Sequence, residues 1–123
     1  MINLNTSLRK ALELYLQFTK PIHQLNAKEI KIVSSFLVMY YDEYYNFKRT
    51  EDIWKKCFEY DSKMKIMNEL NVNTQIFNNH LTSLRKKKVI INNQISPSYI
   101  PLTDPTSTSL ELRFVFNIKE NAK

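Results

Sequence analysis

The sequence predicts an α+β domain that is mainly helical, with its strands at the C-terminal end. Apolar residues recur at helical spacing in successive stretches as far as Leu84, so most of the chain reads as amphipathic helices. Beyond residue 88 the pattern changes to the two-residue alternation of strands, clearest at Leu110, Leu112, Phe114, Phe116 and Ile118. At 123 residues with 43% hydrophobic side chains, the chain suffices for one core but not two, so 1–123 is expected to be a single globular domain.

The first helix is expected over 6–19, where Leu8, Leu12, Tyr15 and Leu16 share a stripe, with Thr6 or Ser7 as its cap and Pro21 just past its end. It belongs to a leading extension, 1–25, that either packs back on the domain or pairs with a second copy as a homodimer arm. Asn26-Ala27-Lys28-Glu29 has the form of a capping box and opens a long helix to about Asn46, with Ile30, Val33, Leu37, Tyr40 or Tyr41, and Tyr44 on its buried side. Tyr40, Tyr41, Tyr44 and Tyr45 give this helix an aromatic end, which serves either as core or as a stacking surface for bases or a partner. After a linker, Ile53, Trp54, Cys57 and Phe58 mark a short inserted helix over 51–60, in which Cys57 reads as packing rather than as a nucleophile.

The stretch from Asp61 to Ile91 reads as helix, tight turn, helix and strand. Ile66, Met67 and Leu70 form one stripe, with Asp61 or Ser62 as cap. Asn71 suits the end of that helix because Asn tolerates the left-handed conformation, in a chain without glycine. Asn73 or Thr74 caps the next helix, whose narrow apolar face is Phe77, Leu81 and Leu84. Its other side carries Thr74, Gln75, Asn78, Asn79, Thr82 and Ser83, mostly weak helix formers, which suggests that their hydrogen-bonding groups are wanted.

Leu70-Asn71-Val72-Asn73, Phe77, His80-Leu81 and Leu84-Arg85-Lys86-Lys87-Lys88-Val89-Ile90 together resemble the helix-turn-helix and first wing strand of winged-helix DNA-binding domains. The resemblance implies a winged helix-turn-helix core over 26–118, with a three-helix centre, the 1–25 and 51–60 helices added, and a C-terminal two-stranded β-hairpin wing. The strand from Val89 to Ile95 would pair with Leu110–Ile118 across a long wing loop, 96–109, which Pro97, Pro101 and Pro105 keep irregular. Many members of that family have Gly where Asn71 and Lys88 stand; Lys88 here implies a backbone without positive φ.

The function that follows is binding of double-stranded DNA through the helix 74–87 in the major groove. Gln75, Asn78 and Asn79 are the expected base readers, because a side-chain amide bonds in bidentate fashion to the N6/N7 edge of adenine. Thr74, Thr82 and Ser83 would reach bases or phosphates. Arg85, Lys86, Lys87 and Lys88 would meet phosphates, although cations also suit a helix C-terminus on stability grounds. Asn92 and Asn93 are expected wing contacts with the backbone or minor groove. A transcriptional regulator and a replication or packaging accessory factor both fit, and the Asn-, Lys- and Ile-rich composition suggests AT-rich coding DNA, as in low-GC bacteria and their phages. The alternative from a different class is the same fold as a protein-interaction or virion-assembly module.

Other classes are disfavoured. The net charge of +6 points to an acidic partner, nucleic acid before membrane. The absence of glycine removes the phosphate-binding and dinucleotide loops. Asp42-Glu43 and Glu51-Asp52 are adjacent pairs that diverge on a helix, so no catalytic dyad and no enzyme is expected. His23, His80 and Cys57 lack metal-ligand spacing, so no metal or other cofactor is expected. A single cysteine, no signal-peptide pattern and no run near the roughly 18 apolar residues of a spanning helix lead to the expectation of a cytoplasmic protein without a membrane partner.

Overall fold

The computed structural model describes residues 7–43 and 50–101. It is mainly helical with one small antiparallel sheet. Helix α1 spans Leu8–Phe18, α2 Lys20–His23, α3 Ala27–Glu43, α4 Thr50–Cys57, α5 Tyr60–Leu70 and α6 Thr74–Lys86; strands β1, Ile90–Ile91, and β2, Gln94–Ile95, follow. The expected strand 110–118, residues 102–109 of the expected loop, and Tyr44 and Tyr45 lie outside the described residues.

Helix α3 is the centre, in contact with α1, α4, α5, α6 and β2. A helix surrounded in this way must be apolar on most sides. Ile30, Ile32, Val33, Phe36, Leu37 and Tyr41 are all buried on it. Phe36 stacks on Phe58 from the end of α4 at 4.3 Å between ring centroids and meets Phe77 of α6 edge-on at 6.3 Å. Tyr41 is buried in the core, and Tyr40, partly buried, packs against it by stacking on Trp54 at 4.6 Å. The α1 stripe packs back on α3 with Leu12 and Leu16 fully buried. Arg9 fixes that packing: its guanidinium donates to Ser35 Oγ at 2.7 Å on α3 and to Glu69 Oε2 at 3.0 Å on α5.

The helix ends follow from local chemistry. Ser7 caps α1, accepting from the Lys10 amide, and Asn73 rather than Thr74 caps α6, accepting from the Ile76 amide at 2.8 Å. Helix α5 begins one residue before Asp61, so neither Asp61 nor Ser62 caps it; the Ser62 hydroxyl instead donates to the Lys56 carbonyl. Asn71 ends α5 with φ 55°, and the amides of Asn71 and Val72 close back on the carbonyls of Asn68 and Met67. The same motif ends α6, where the amides of Lys88 and Val89 return to Arg85 and Leu84.

Two expectations are corrected at that point. Lys88 sits at φ 61°, in the left-handed region, because this turn folds Val89 back against Leu84, and both side chains are fully buried. The stretch from Val89 to Ile95 is not one strand but a complete hairpin. Ile90 pairs with Ile95 and Ile91 with Gln94 around a two-residue turn. Asn92 and Asn93 are that turn, at φ 53° and 55°, a conformation in which Asn is among the least penalised side chains after glycine. A further rung, from the Ser96 amide to the Val89 carbonyl, extends the ladder before the Pro97–Tyr99 turn.

A left-handed lysine costs about 1–2 kcal/mol, whereas a glycine in its place widens the unfolded ensemble by about 0.4–1 kcal/mol. Lys88→Gly is therefore expected to raise stability by about 0.5–1 kcal/mol, read as a rise of a few degrees in Tm. A lower Tm would contradict the turn described.

Candidate nucleic-acid interface

Helix α6 separates its faces sharply. Phe77, Leu81 and Leu84 are buried, while Thr74, Gln75, Ile76, Asn78, Asn79 and Thr82 are exposed. At 100° per residue, Gln75, Asn79, Thr82 and Lys86 run along the line facing away from the body, with Asn78 on one flank and Ile76 on the other. Thr82 donates its hydroxyl to the Asn78 carbonyl at 3.0 Å, which leaves its oxygen as an acceptor. The helix contains no acidic residue. Arg85 and Lys86 in its last turn and Lys88 just past its end are exposed, and among the described residues none of the three is ion-paired.

Ser83 and Lys87, also expected as contacts with DNA, hydrogen-bond within the body. The Ser83 hydroxyl donates to Glu29 Oε2 at 2.7 Å, and Lys87 Nζ donates to Glu29 Oε1 at 2.7 Å and to the Gln24 carbonyl at 3.3 Å. Glu29 is fully buried and also closes the capping box, its carboxylate accepting from the Asn26 amide while the Asn26 side chain accepts from the Glu29 amide. Burial alone would push this carboxyl up. The Asn26 amide, the Lys87 ammonium and the Ser83 hydroxyl together outweigh that and hold it below its ordinary value. One buried carboxylate thus locks the start of α3 to the end of α6, and it fixes how far the polar side of α6 projects. Because it is enclosed and neutralised, it adds no exposed negative charge beside that side.

Sequence reasoning missed this role for Glu29, although a signal existed. Glu29, Val33, Phe36 and Leu37 fall at i, i+4, i+7 and i+8, so the carboxylate lies on the buried stripe. Ile76 was missed as well, and it is 44% exposed beside the amides.

His80 is half-buried on α6, and His23 is engaged in the body, its Nδ1 accepting from the Leu25 amide and its Nε2 donating to the Leu16 carbonyl. Among the described residues no group of His, Cys, Asp or Glu could hold a metal ion, and no helix is long and apolar enough to cross a membrane. Cys57 is buried, and burial, with Glu43 and Asp42 adding to it, pushes its thiol up to about 12. Asn92 and Asn93 stand exposed at the hairpin tip. Comparison of the chain with family models, with curated proteins and with solved structures finds no match.

Two expected outcomes follow from these environments. A carboxyl held below its ordinary value contributes stability that is fully present above about pH 4.3 and is lost as pH falls through the folded value. The stability difference between the parent and Glu29→Gln should therefore be about 1–3 kcal/mol at neutral pH and should shrink on acidification in chemical denaturation. A difference that stays constant down to about pH 2 would refute the ionised pairing. Cys57, as a thiol rather than a thiolate, should resist alkylation at pH 8 in the folded chain and react readily in denaturant; equal rates in the two states would show that it is accessible.

Proposed function

We propose that this chain is a small basic winged helix-turn-helix protein that binds double-stranded DNA, with α6 entering the major groove and Arg85, Lys86 and Lys88 on phosphates. The observation that carries this is the exposed, acid-free amide side of α6, followed by cations that make no ion pair among the described residues. Helices α3, α5 and α6 supply the three-helix centre, the Asn71–Asn73 connection the turn, and the β1–β2 hairpin a wing whose tip carries Asn92 and Asn93. Helices α1 and α4 are additions that cover the core. A regulator of transcription and an accessory factor in replication or DNA packaging are the roles that fit a protein with this surface.

A second reading, a protein-interaction or assembly module, is favoured by one observation: Phe18 and Ile22 near the α1–α2 junction are 55% and 85% exposed. The two readings separate on a gel.

Generic duplex should be retarded at low salt and released as salt rises, with a slope of log K against log salt near −3 if all three cations meet phosphates. Lys86→Ala should reduce that slope by about one unit. Asn79→Ala should weaken a preferred site by about 1–3 kcal/mol without changing Tm. No retardation even at low salt would remove the DNA reading and favour the second.

A further inference from the structure

We infer that the exposed side of α6 reads A·T base pairs, with Ile76 as the contact for the thymine C5-methyl group beside the adenine-reading amides. This rests on the proposal that α6 enters the major groove and goes beyond it by naming the base composition recognised.

In the major groove adenine offers an acceptor and a donor that match a side-chain amide, thymine a methyl that takes apolar contact, guanine two acceptors that match Arg or Lys, and cytosine a donor that matches a carboxylate. From Thr74 to Leu84 the exposed side of α6 carries the first two kinds of reader and lacks the others. Gln75, Asn78 and Asn79 present amides, Ile76 presents a branched hydrocarbon, and no Arg, Lys, Asp or Glu occurs in those three turns. The cations stand only at the C-terminal end, beyond the amides.

The placement of Ile76 matters as much as its type. Ile76 and Asn79 are i and i+3, hence neighbours on the helix surface with Cβ atoms about 5–6 Å apart. An amide and a methyl-bearing side chain side by side suit the adenine edge of one pair and the thymine methyl of the same or the next pair. Solvation gives no reason for Ile there: β-branched residues lose χ1 freedom in a helix, and at 44% exposure much of the side chain meets water. Among the described residues on that flank, Ser83 and Lys87 are held by Glu29.

The test uses the full chain and three duplexes of equal length at one low salt concentration: an A·T-rich duplex, a G·C-rich duplex, and the A·T-rich sequence with deoxyuridine for every thymidine, which deletes only the C5-methyl groups. The parent is expected to bind the A·T-rich duplex about tenfold or more tighter than the G·C-rich one, and to lose affinity severalfold on the uracil duplex. Ile76→Ala should bind the thymine duplex more weakly yet show no further loss on the uracil one. Ile76→Val, which keeps hydrocarbon at that position, should retain the parent's sensitivity. Equal Tm values show that the variants fold. Salt-dependent binding that is equal on all three duplexes overturns the A·T reading and leaves the DNA-binding proposal standing. A uracil penalty that persists in Ile76→Ala overturns the assignment to Ile76, and no retardation of any duplex overturns both proposals.

Discussion

The structure depends on a carboxylate placed where carboxylates are costly. Glu29 is enclosed at the first turn of the central helix, and an uncompensated charge there would be strongly destabilising. It is compensated from three directions: the backbone of its own helix start, a hydroxyl of α6 and an ammonium just past the end of α6. The pair is not sealed from water, since the Lys87 side chain is 36% exposed, so its contribution is more to geometry than to stability. What it fixes is the angle at which α6 leaves the body.

Division of labour along α6 follows from the same interaction. Of the polar and basic side chains on and after this helix, those that face the α3 start are spent on holding it, and those that face away are left to water. The basic run at residues 85–88 is therefore not one uniform patch. Lys87 belongs to the interior network while its neighbours project, and the left-handed turn at Lys88 brings Val89 back under Leu84 so that the hairpin can begin. Packing on α3 and presentation of the amides are two outcomes of one register.

Much of this was legible in the sequence, because caps and apolar stripes are local. Ser7, Asn26 with Glu29, Asn71 and Asn73 each announce a helix boundary through their own side chain or backbone preference. The stripes through Leu12, Val33, Trp54, Ile66 and Phe77 identify the buried sides without knowledge of what covers them. What was not legible is tertiary. Ser83 and Lys87 lie 54 and 58 residues from Glu29, and nothing near them distinguishes them from solvated neighbours. The left-handed lysine is likewise imposed by packing, against its own preference. The hairpin was locally visible, as an Asn pair between Ile91 and Gln94, but the pair has more than one reading, since Asn is poor in a strand and good in a turn.

The turns have a further consequence for the chain before it folds. Gln24, Asn71, Lys88, Asn92 and Asn93 all adopt positive φ, and every one carries a Cβ. A chain with no glycine has fewer backbone states to abandon at each bend, so its denatured ensemble is narrower and the entropy surrendered on ordering those bends is smaller. The strain held in the folded bends is thereby partly offset by a restricted starting ensemble, and the bends persist only while the helices and strands on either side of them are formed.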